Sequence, residues 1–219
     1  MTRILVHTHN LLFPHESAAD GVRALRELGA EHGFTVDATD DPADFRADRL
    51  RHYGAVVFLS TGGDVLDDRG RDALRAHLGT GAGWMGVHCA AGTELGWDWY
   101  EGLVGARFLG HPPIQTATVR TADADHPATA HLPAAWTWTD EWYNFRTDPR
   151  GRGVRVLLTV DESEYEGGTM GEGHPLAWSG EHDGAPTFYT SLGHTPEAYR
   201  DAAFRAHLLG GVRHVLDGA

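Results

Sequence analysis

Residues 81–92 read Gly-Ala-Gly-Trp-Met-Gly-Val-His-Cys-Ala-Ala-Gly, and this segment predicts how the chain folds. A short apolar run after glycines is typical of a buried strand, and the small residues after it are typical of a tight turn into a helix. Such a turn raises one side chain above the sheet and directs backbone N–H groups at it. The raised side chain is predicted to be His88, two residues after Gly86, whereas Cys89 comes one place too late. An ordinary strand-to-helix turn that contains a histidine is the alternative.

Three strand–helix units precede this segment. The predicted strands are 4–6, 34–37 and 55–59, and the predicted helices lie around Val22 to Leu28, at 45–53 and at 66–78. Strands that alternate with helices favour a parallel, doubly wound α/β sheet, in which ligands bind beyond the carboxyl ends of the strands. Polar clusters follow those ends at 7–9, 60–63 and 88–89. We therefore expect His88 to be functional.

The middle of the chain changes character. A Thr-rich, solvent-facing strand is predicted at 115–121, and 139–145 places Asp140 and Glu141 among aromatic residues. Partial burial there would raise the pKa of these carboxyl groups. The alternative is a capping loop with an exposed acid pair. His126 and His131 are expected to be loop histidines without partners.

The C-terminal part returns to regular structure. Strands are predicted at 154–160, 176–178 and 187–191, with a turn at 181–184 between the last two. A helix is then predicted with Thr195 as its N-cap and Pro196 as its first residue. His207 and His214 on that helix are expected to be ordinary packing or surface histidines.

Composition predicts one domain over residues 1–219. The chain has no Pro/Ser-rich linker, and its hydrophobic content of 41% with 7 tryptophans indicates a sizeable core. The net charge is -13 and all 18 basic residues are arginine, so we expect neither nucleic acid nor a membrane surface as a partner. One cysteine excludes an internal disulfide and suits a reducing compartment. With no signal peptide and no membrane-length apolar run, the expected location is the cytoplasm.

Six blocks of sequence, in order, resemble the ThuA-like family, named for trehalose utilisation. They are Ile4-Leu5-Val6 with Phe13-Pro14-His15-Glu16-Ser17, Gly86-Val87-His88, Gly110-His111-Pro112, Asp140-Glu141-Trp142-Tyr143, His174-Pro175-Leu176-Ala177-Trp178 and Tyr189-Thr190-Ser191-Leu192-Gly193-His194-Thr195. The resemblance implies the flavodoxin-like, mainly parallel α/β fold of the class I glutamine amidotransferase superfamily. An inserted region of strands and loops belongs to the same domain.

The sequence departs from the amidotransferases at the residue they use for catalysis. Those enzymes carry Gly-x-Cys-x-Gly after the strand, whereas this chain has histidine at the cysteine position and alanine for the second glycine. Cys89 is out of register and is expected to point away from the site. Glutamine hydrolysis is therefore not expected, because the thiolate would lack a base and an oxyanion pocket.

The matched blocks supply the predicted site. The residues expected to be catalytic are His88, Glu141 and His194, and those expected to bind substrate are His15, His111, Tyr143, His174 and Trp178. No cofactor is implied with certainty. A divalent metal held by residues from the set His88, His111, Glu141 and His194 is an open alternative, although no His-x-x-x-His or His-Glu-x-x-His spacing supports it.

The resemblance implies acid/base chemistry on a disaccharide of the trehalose type or on a keto-sugar. A histidine or glutamate titrating near neutral pH would move protons beside a carbonyl or hydroxyl group. Two alternatives remain open: a non-catalytic sugar-binding or assembly module, and an amide or thiol hydrolase that uses Cys89. A small sugar is the expected partner, with a homo-oligomer also open, and the sequence identifies neither the sugar nor the reaction.

Overall fold

A mixed sheet of nine strands runs through the chain, and the computed structural model describes residues 2–217. The strands are β1 (Thr2–His7), β2 (Phe34–Thr39), β3 (Ala55–Leu59), β4 (Gly83–Val87), β5 (Phe108–Gly110), β6 (Gln115–Thr121), β7 (Ala135–Asp140), β8 (Asn144–Phe145), β9 (Arg155–Val160), β10 (His174–His182) and β11 (Ala185–Thr190). The α-helices are α1 (Ser17–His32), α2 (Ala47–Leu50), α3 (Asp68–Leu78), α4 (Asp98–Val104) and α5 (Ala202–Asp217).

The strand order is β2-β1-β3-β4-β11-β10-β9-β6-β7, and β5 pairs with β8 apart from this sheet. The first five strands in that order are parallel, and the pairs from β11 through β10, β9 and β6 to β7 are antiparallel. This confirms the predicted flavodoxin-like α/β domain, with β5 to β10 inserted between the fourth and fifth parallel strands.

Helices cover both faces of the parallel strands, as the continuous apolar strands require. Along β1, Ile4 and Val6 pack into the core beneath α1 and α5, whereas Leu5 packs into the core beneath α2, α3 and α4. Successive side chains of a strand point to opposite faces, so one short strand contributes to both cores. Every residue of β3 is fully buried for this reason.

The predicted C-terminal helix begins later than expected. A short 3₁₀ turn covers Ala198–Arg200, and α5 starts at Ala202, where the Asp201 carboxylate accepts from the Phe204 amide. The prediction that the helix starts at Pro196 was wrong, because an aspartate side chain can satisfy the free N–H groups at the later position. The predicted helix at 45–53 is likewise reduced to α2 with a preceding 3₁₀ turn.

The hairpin between β10 and β11 has the predicted turn. Asp183 and Gly184 have φ angles of 50° and 84°, which is the conformation of the two-residue turns that join antiparallel strands. This hairpin turns the chain back beside β4, so that β11 runs parallel to β4. The carboxyl ends of β1, β3, β4 and β11 consequently meet at one edge of the sheet.

Candidate functional site

The turn after β4 places His88 at the centre of this edge. Its φ of 54° is in the left-handed region, which costs a non-glycine residue about 1 kcal/mol or more. The His88 Nδ1 atom lies 2.8 Å from the Ser191 carbonyl oxygen, and the Tyr189 hydroxyl donates to the His88 carbonyl at 2.8 Å. The strained backbone and fixed ring agree with the prediction that the turn raises His88.

The tautomer of His88 follows from these partners. A carbonyl oxygen only accepts, so Nδ1 must carry a proton, and Nε2 then bears a lone pair in the neutral ring. The Tyr143 hydroxyl lies 2.9 Å from Nε2 and donates to it. Burial, the largest effect, and nearby groups including Cys89 hold the pKa of Tyr143 well above its usual value, so the hydroxyl keeps its proton.

Asp140 joins the two loops that carry Glu141 and His194. Its carboxylate, 1% exposed, accepts from the backbone N–H of Glu141 at 2.9 Å, of Gly193 at 2.9 Å and of His194 at 3.2 Å. The Trp138 indole donates to the same carboxylate at 3.0 Å. These hydrogen bonds fix the end of β7 against the loop after β11.

His15 reaches the cluster from the loop after β1. Asn10 shapes this loop, because its side-chain oxygen accepts from the backbone N–H of Leu12 and Phe13 and its amide donates to the Ser60 carbonyl. His15 Nε2 then lies 3.2 Å from His88 Nε2. From the sequence, His15 is predicted to bind substrate and is absent from the predicted metal set.

Four side chains thus converge within a few ångströms. His194 Nδ1 lies 3.3 Å from His88 Nε2 and 3.2 Å from Glu141 Oε2, which is 3.5 Å from His88 Nε2. One donor atom from each of these residues and from His15 lies within 4.8 Å of all the others. This group, His15, His88, Glu141 and His194, is called the histidine–carboxylate cluster below, and it is the set that could hold a metal ion.

The pKa values of the residues in the cluster depend on their contacts with one another. Burial acts to raise the pKa of Glu141, but hydrogen bonds and positive charge from His194 and His88, in the protonated forms of those rings, outweigh it and hold that pKa far below its usual range. The hydrogen bond to Glu141 raises the pKa of His194. Burial, with the charges of His88 and His194, lowers that of His15 to about 4. The expectation of a raised pKa at Glu141 was therefore wrong, because the imidazole donors outweigh the apolar surroundings.

A cavity of about 630 Å³ opens above the cluster, a size typical of small-molecule sites. Glu141, His194, His15, His111 and Tyr143 line it, together with apolar groups such as those of Phe13 and Phe108. The fully buried His88 ring lies below the cavity floor and touches Glu141 and His194 through Nε2. His111 Nε2 lies 3.4 Å from Glu141 Oε1, the oxygen that faces away from His88. In the proposed metal set, His15 therefore replaces His111.

Two predicted substrate-binding residues do not reach the cavity. His174 is fully buried, its Nε2 donates to the Tyr143 carbonyl at 2.8 Å, and its Nδ1 lies 2.8 Å from both the Tyr165 hydroxyl and Glu162 Oε1. Trp178 is 1% exposed and its indole donates to the Val104 carbonyl at 2.8 Å. Both assignments are corrected, because β10 is an interior strand whose side chains are used in packing beneath the site.

Cys89 also differs from expectation, since its side chain does reach the cavity wall. Residues His88–Gly92 form a 3₁₀ helix, whose tighter winding turns the next side chain toward Asn10 and Tyr143. Burial raises the pKa of the Cys89 thiol to about 11. A thiol that keeps its proton is a poor nucleophile, so its position does not favour the hydrolase alternative.

Two residues that organise the site, Asp140 and Asn10, are absent from the site that the sequence predicts. From the sequence, Asp140 is one of an acid pair and part of a matched block without a predicted role in the site, and no role is predicted for Asn10. The signal for Asn10 was its place after the first strand, beside the polar cluster 7–9. Nothing in the sequence indicates that Asp140 binds the backbone of a loop that lies 53 residues later.

Comparison with known proteins places the fold and the family. A family model named ThuA and described as trehalose utilisation matches residues 3–215. The structure is similar to a ThuA-like protein from Bacteroides uniformis (TM-score 0.82, 23% identity, 98% of this chain and 91% of that chain). It is also similar to one from Parabacteroides merdae (TM-score 0.79, 19% identity, 99% and 90%).

A cytoplasmic protein from Salmonella typhimurium is similar at a TM-score of 0.67 and 10% identity, covering 98% of this chain and 99% of that chain. No curated protein matches the sequence. Among residues 2–217, no helix has both the length and the apolar character needed to cross a membrane.

Proposed function

The chain belongs to the ThuA family, and from this premise we propose that it is an enzyme that moves protons on a sugar bound above the histidine–carboxylate cluster. Family membership suggests a role related to trehalose utilisation. The finer proposal, which concerns chemistry and substrate, is supported by the contents of the cavity. A disaccharide of the trehalose type or a keto-sugar derived from it is the proposed substrate class.

One observation carries the proposal: three imidazoles and one carboxylate meet at a single buried point beneath an open cavity. A cluster of lone pairs this close is stable only with positive charge at its centre. That charge would polarise the sugar oxygen nearest to it and stabilise negative charge that develops there. The result is an electrophilic centre at the cavity floor.

His111 stands beside this centre in a position to carry the proton. Its Nδ1 donates to the Pro112 carbonyl at 2.8 Å, which leaves Nε2 with a lone pair in the neutral ring. The Glu141 carboxylate, 3.4 Å from Nε2, would stabilise the imidazolium formed when Nε2 takes a proton. This arrangement assigns His111 as the base and the cluster as the electrophile.

For a keto-sugar the step balances without a co-reactant. The C–H bond beside the carbonyl breaks, its proton goes to the base, and its electron pair forms a C=C bond as the carbonyl oxygen becomes an enolate. The positive centre holds that enolate oxygen. The hydroxyl on the deprotonated carbon then gives its proton to the enolate oxygen and becomes the new carbonyl, while the base returns its proton to the former carbonyl carbon, which completes an isomerisation. The parent sugar lacks the carbonyl and would not react by this route.

Steady-state kinetics on keto-disaccharides and their parent sugars test the proposal. We expect turnover of the keto-sugar, with His88→Ala and Glu141→Gln each reducing kcat by about 10²–10⁴-fold and changing affinity much less. Glu181→Gln, on the exposed hairpin far from the cavity, is the matched carboxylate control and should keep full turnover.

Calorimetry with the same sugars decides between enzyme and binding module. Hydrogen bonds that only hold a sugar would make each substitution cost about 1–3 kcal/mol in binding, with turnover at saturation unchanged or absent. That outcome would replace the enzyme assignment with a sugar-binding module.

A further inference from the structure

Hydrogen bonding alone does not account for the contacts around His88 Nε2. The neutral His88 ring has one N–H, at Nδ1, which donates to the Ser191 carbonyl. Nε2 therefore has one lone pair, and this lone pair accepts the hydrogen bond from the Tyr143 hydroxyl at 2.9 Å. Two more ring nitrogens, from His15 and His194, still lie 3.2 Å and 3.3 Å from the same atom. Each such nitrogen pair needs a proton or a cation between its atoms to be attractive.

The separations match those between ligands of one small ion. Bonds of about 2.0–2.1 Å from a tetrahedral metal to nitrogen or oxygen place neighbouring ligand atoms ~3.3 Å apart. Four of the six separations in the cluster are 3.2, 3.3, 3.2 and 3.5 Å. The other two are no longer than 4.8 Å. Catalytic metal sites also keep a position for a substrate oxygen, and the cavity opens directly above this cluster.

The supporting contacts are those that metal ligands usually have. A ligating histidine donates its second ring N–H to a carbonyl or carboxylate, which fixes the ring and the tautomer, and His88 does this with Ser191. The Glu141 oxygen not directed at His88 faces His111. Asp140 fixes the backbone of Glu141 and His194, so two of the donors are positioned before any ion arrives.

The type of ion follows from the donor atoms. Imidazole nitrogens with one carboxylate suit zinc, iron, cobalt, nickel or manganese, whereas magnesium and calcium favour oxygen ligands alone. Three neutral imidazoles and one carboxylate carry a charge of -1, which a divalent ion converts to a net positive charge. That is the positive centre which the proposed chemistry needs.

We propose that the histidine–carboxylate cluster is a binding site for one divalent first-row transition metal ion. The inference rests on the proposed function only for the use made of the ion, which would polarise the sugar oxygen. The four residues then act as ligands, and proton transfer falls to His111, whose ring lies outside the cluster. Tyr143, released from His88 Nε2, could donate to the polarised oxygen.

Metal binding by the full chain tests this directly. Protein stripped with a chelator and dialysed is titrated by calorimetry with Zn²⁺, and in parallel with Mn²⁺ and Ni²⁺, and bound metal is counted by mass spectrometry after desalting. We expect one ion per chain. His15→Ala and Glu141→Gln should each weaken binding by at least about 10–100-fold, the cost of losing even an outer partner of a ligand.

Controls separate a ligand from a folding effect. His52→Ala removes an exposed histidine and should keep the wild-type affinity. His15 lies on a surface loop, so its variant should fold with an unchanged circular dichroism spectrum. No ion in the wild-type protein, or wild-type affinity in both cluster variants, overturns the metal site.

Turnover read in the same samples tells the two proposals apart. Turnover that survives the chelator without bound metal overturns the metal site but leaves the sugar enzyme, with a proton at its centre. One bound ion that both cluster substitutions remove supports the metal site, even if no sugar reacts. In that case it is the sugar chemistry that fails.

Discussion

Within residues 2–217, neighbouring histidines can be compared at two places, at the carboxyl edge of the sheet and behind β11, and the first of these has the properties of a site. At the carboxyl edge of the sheet, His15, His88 and His194 meet Glu141 beneath the cavity. Behind β11, His126 and His214 lie 3.3 Å apart and are 2% and 8% exposed. The shortest distances between ring nitrogens are 3.2 Å and 3.3 Å in the first group and 3.3 Å in the second. Proximity of imidazoles therefore does not by itself identify a site.

The two groups differ in how the protons on their ring nitrogens are hydrogen-bonded. His126 Nδ1 accepts from the Ala128 N–H at 3.1 Å, so its Nε2 carries the proton that it donates to His214 Nδ1. His207 nearby donates to the Ala128 carbonyl at 2.7 Å. Within residues 2–217, no carboxylate forms a salt bridge with these three histidines. Both ring nitrogens of His126 are paired by ordinary hydrogen bonds, which corrects the expectation that His126 is a loop residue without a partner. Among residues 2–217, Nε2 of His207 and Nε2 of His214 are buried without a hydrogen-bond partner.

The largest contrast is expected from equivalent substitutions in the two groups. His194→Asn should reduce turnover by about 10²–10⁴-fold while unfolding free energy changes little, because the ring stands at an open cavity. His214→Asn should leave turnover per folded molecule unchanged and cost about 1–3 kcal/mol of stability, because His126 loses its partner.

Kinetics and urea unfolding on both variants check this contrast. If His214→Asn loses as much turnover per folded molecule as His194→Asn, the distinction between the groups is wrong.

The distal group should also make folding sensitive to acid. Burial lowers the pKa of the fully buried His207 from 6.5 to about 4. Between those values the unfolded chain binds a proton that the folded chain does not, so stability is complete above pH 6.5 and falls as the pH drops toward 4. The loss from His207 is on the order of 3 kcal/mol.

Urea midpoints at pH 7.5 and pH 4.5 measure this loss. His207→Gln should flatten the pH dependence relative to wild type. An equal decrease in both proteins would assign the acid sensitivity to other groups.

The smallest effect is expected at Cys89, which shares the cavity wall with the cluster but not its chemistry. With its pKa raised to about 11, the thiolate fraction at neutral pH is about 100-fold below that of an ordinary thiol. Alkylation should be correspondingly slow, and Cys89→Ser should keep turnover within about threefold of wild type. If Cys89 is alkylated as fast as free cysteine, or if Cys89→Ser loses as much turnover as His194→Asn, Cys89 would instead be assigned as a nucleophile.

The sequence by itself determined the parallel strands of the sheet and the turn that holds His88. Continuous apolar strands such as 55–59 predict burial on both faces, and the glycine-flanked strand before His88 predicts the sharp turn, because both depend on neighbouring residues alone. The matched sequence blocks also singled out His15, Glu141 and His194 before their neighbours were known. The predicted α/β fold was confirmed, whereas the roles of the site residues stay a prediction.

Only the tertiary structure decided what those residues do to one another. In the structure, His15 and not His111 belongs to the cluster. His174 and Trp178 are buried in the packing beneath the cluster. The pKa of Glu141 is lowered, whereas the sequence predicts that it is raised. The donors come from loops after β1, β4, β7 and β11, which are separated by up to 179 residues, as between His15 and His194. Distances of 3 Å between such loops depend on the packing of the whole sheet, and no local pattern encodes them.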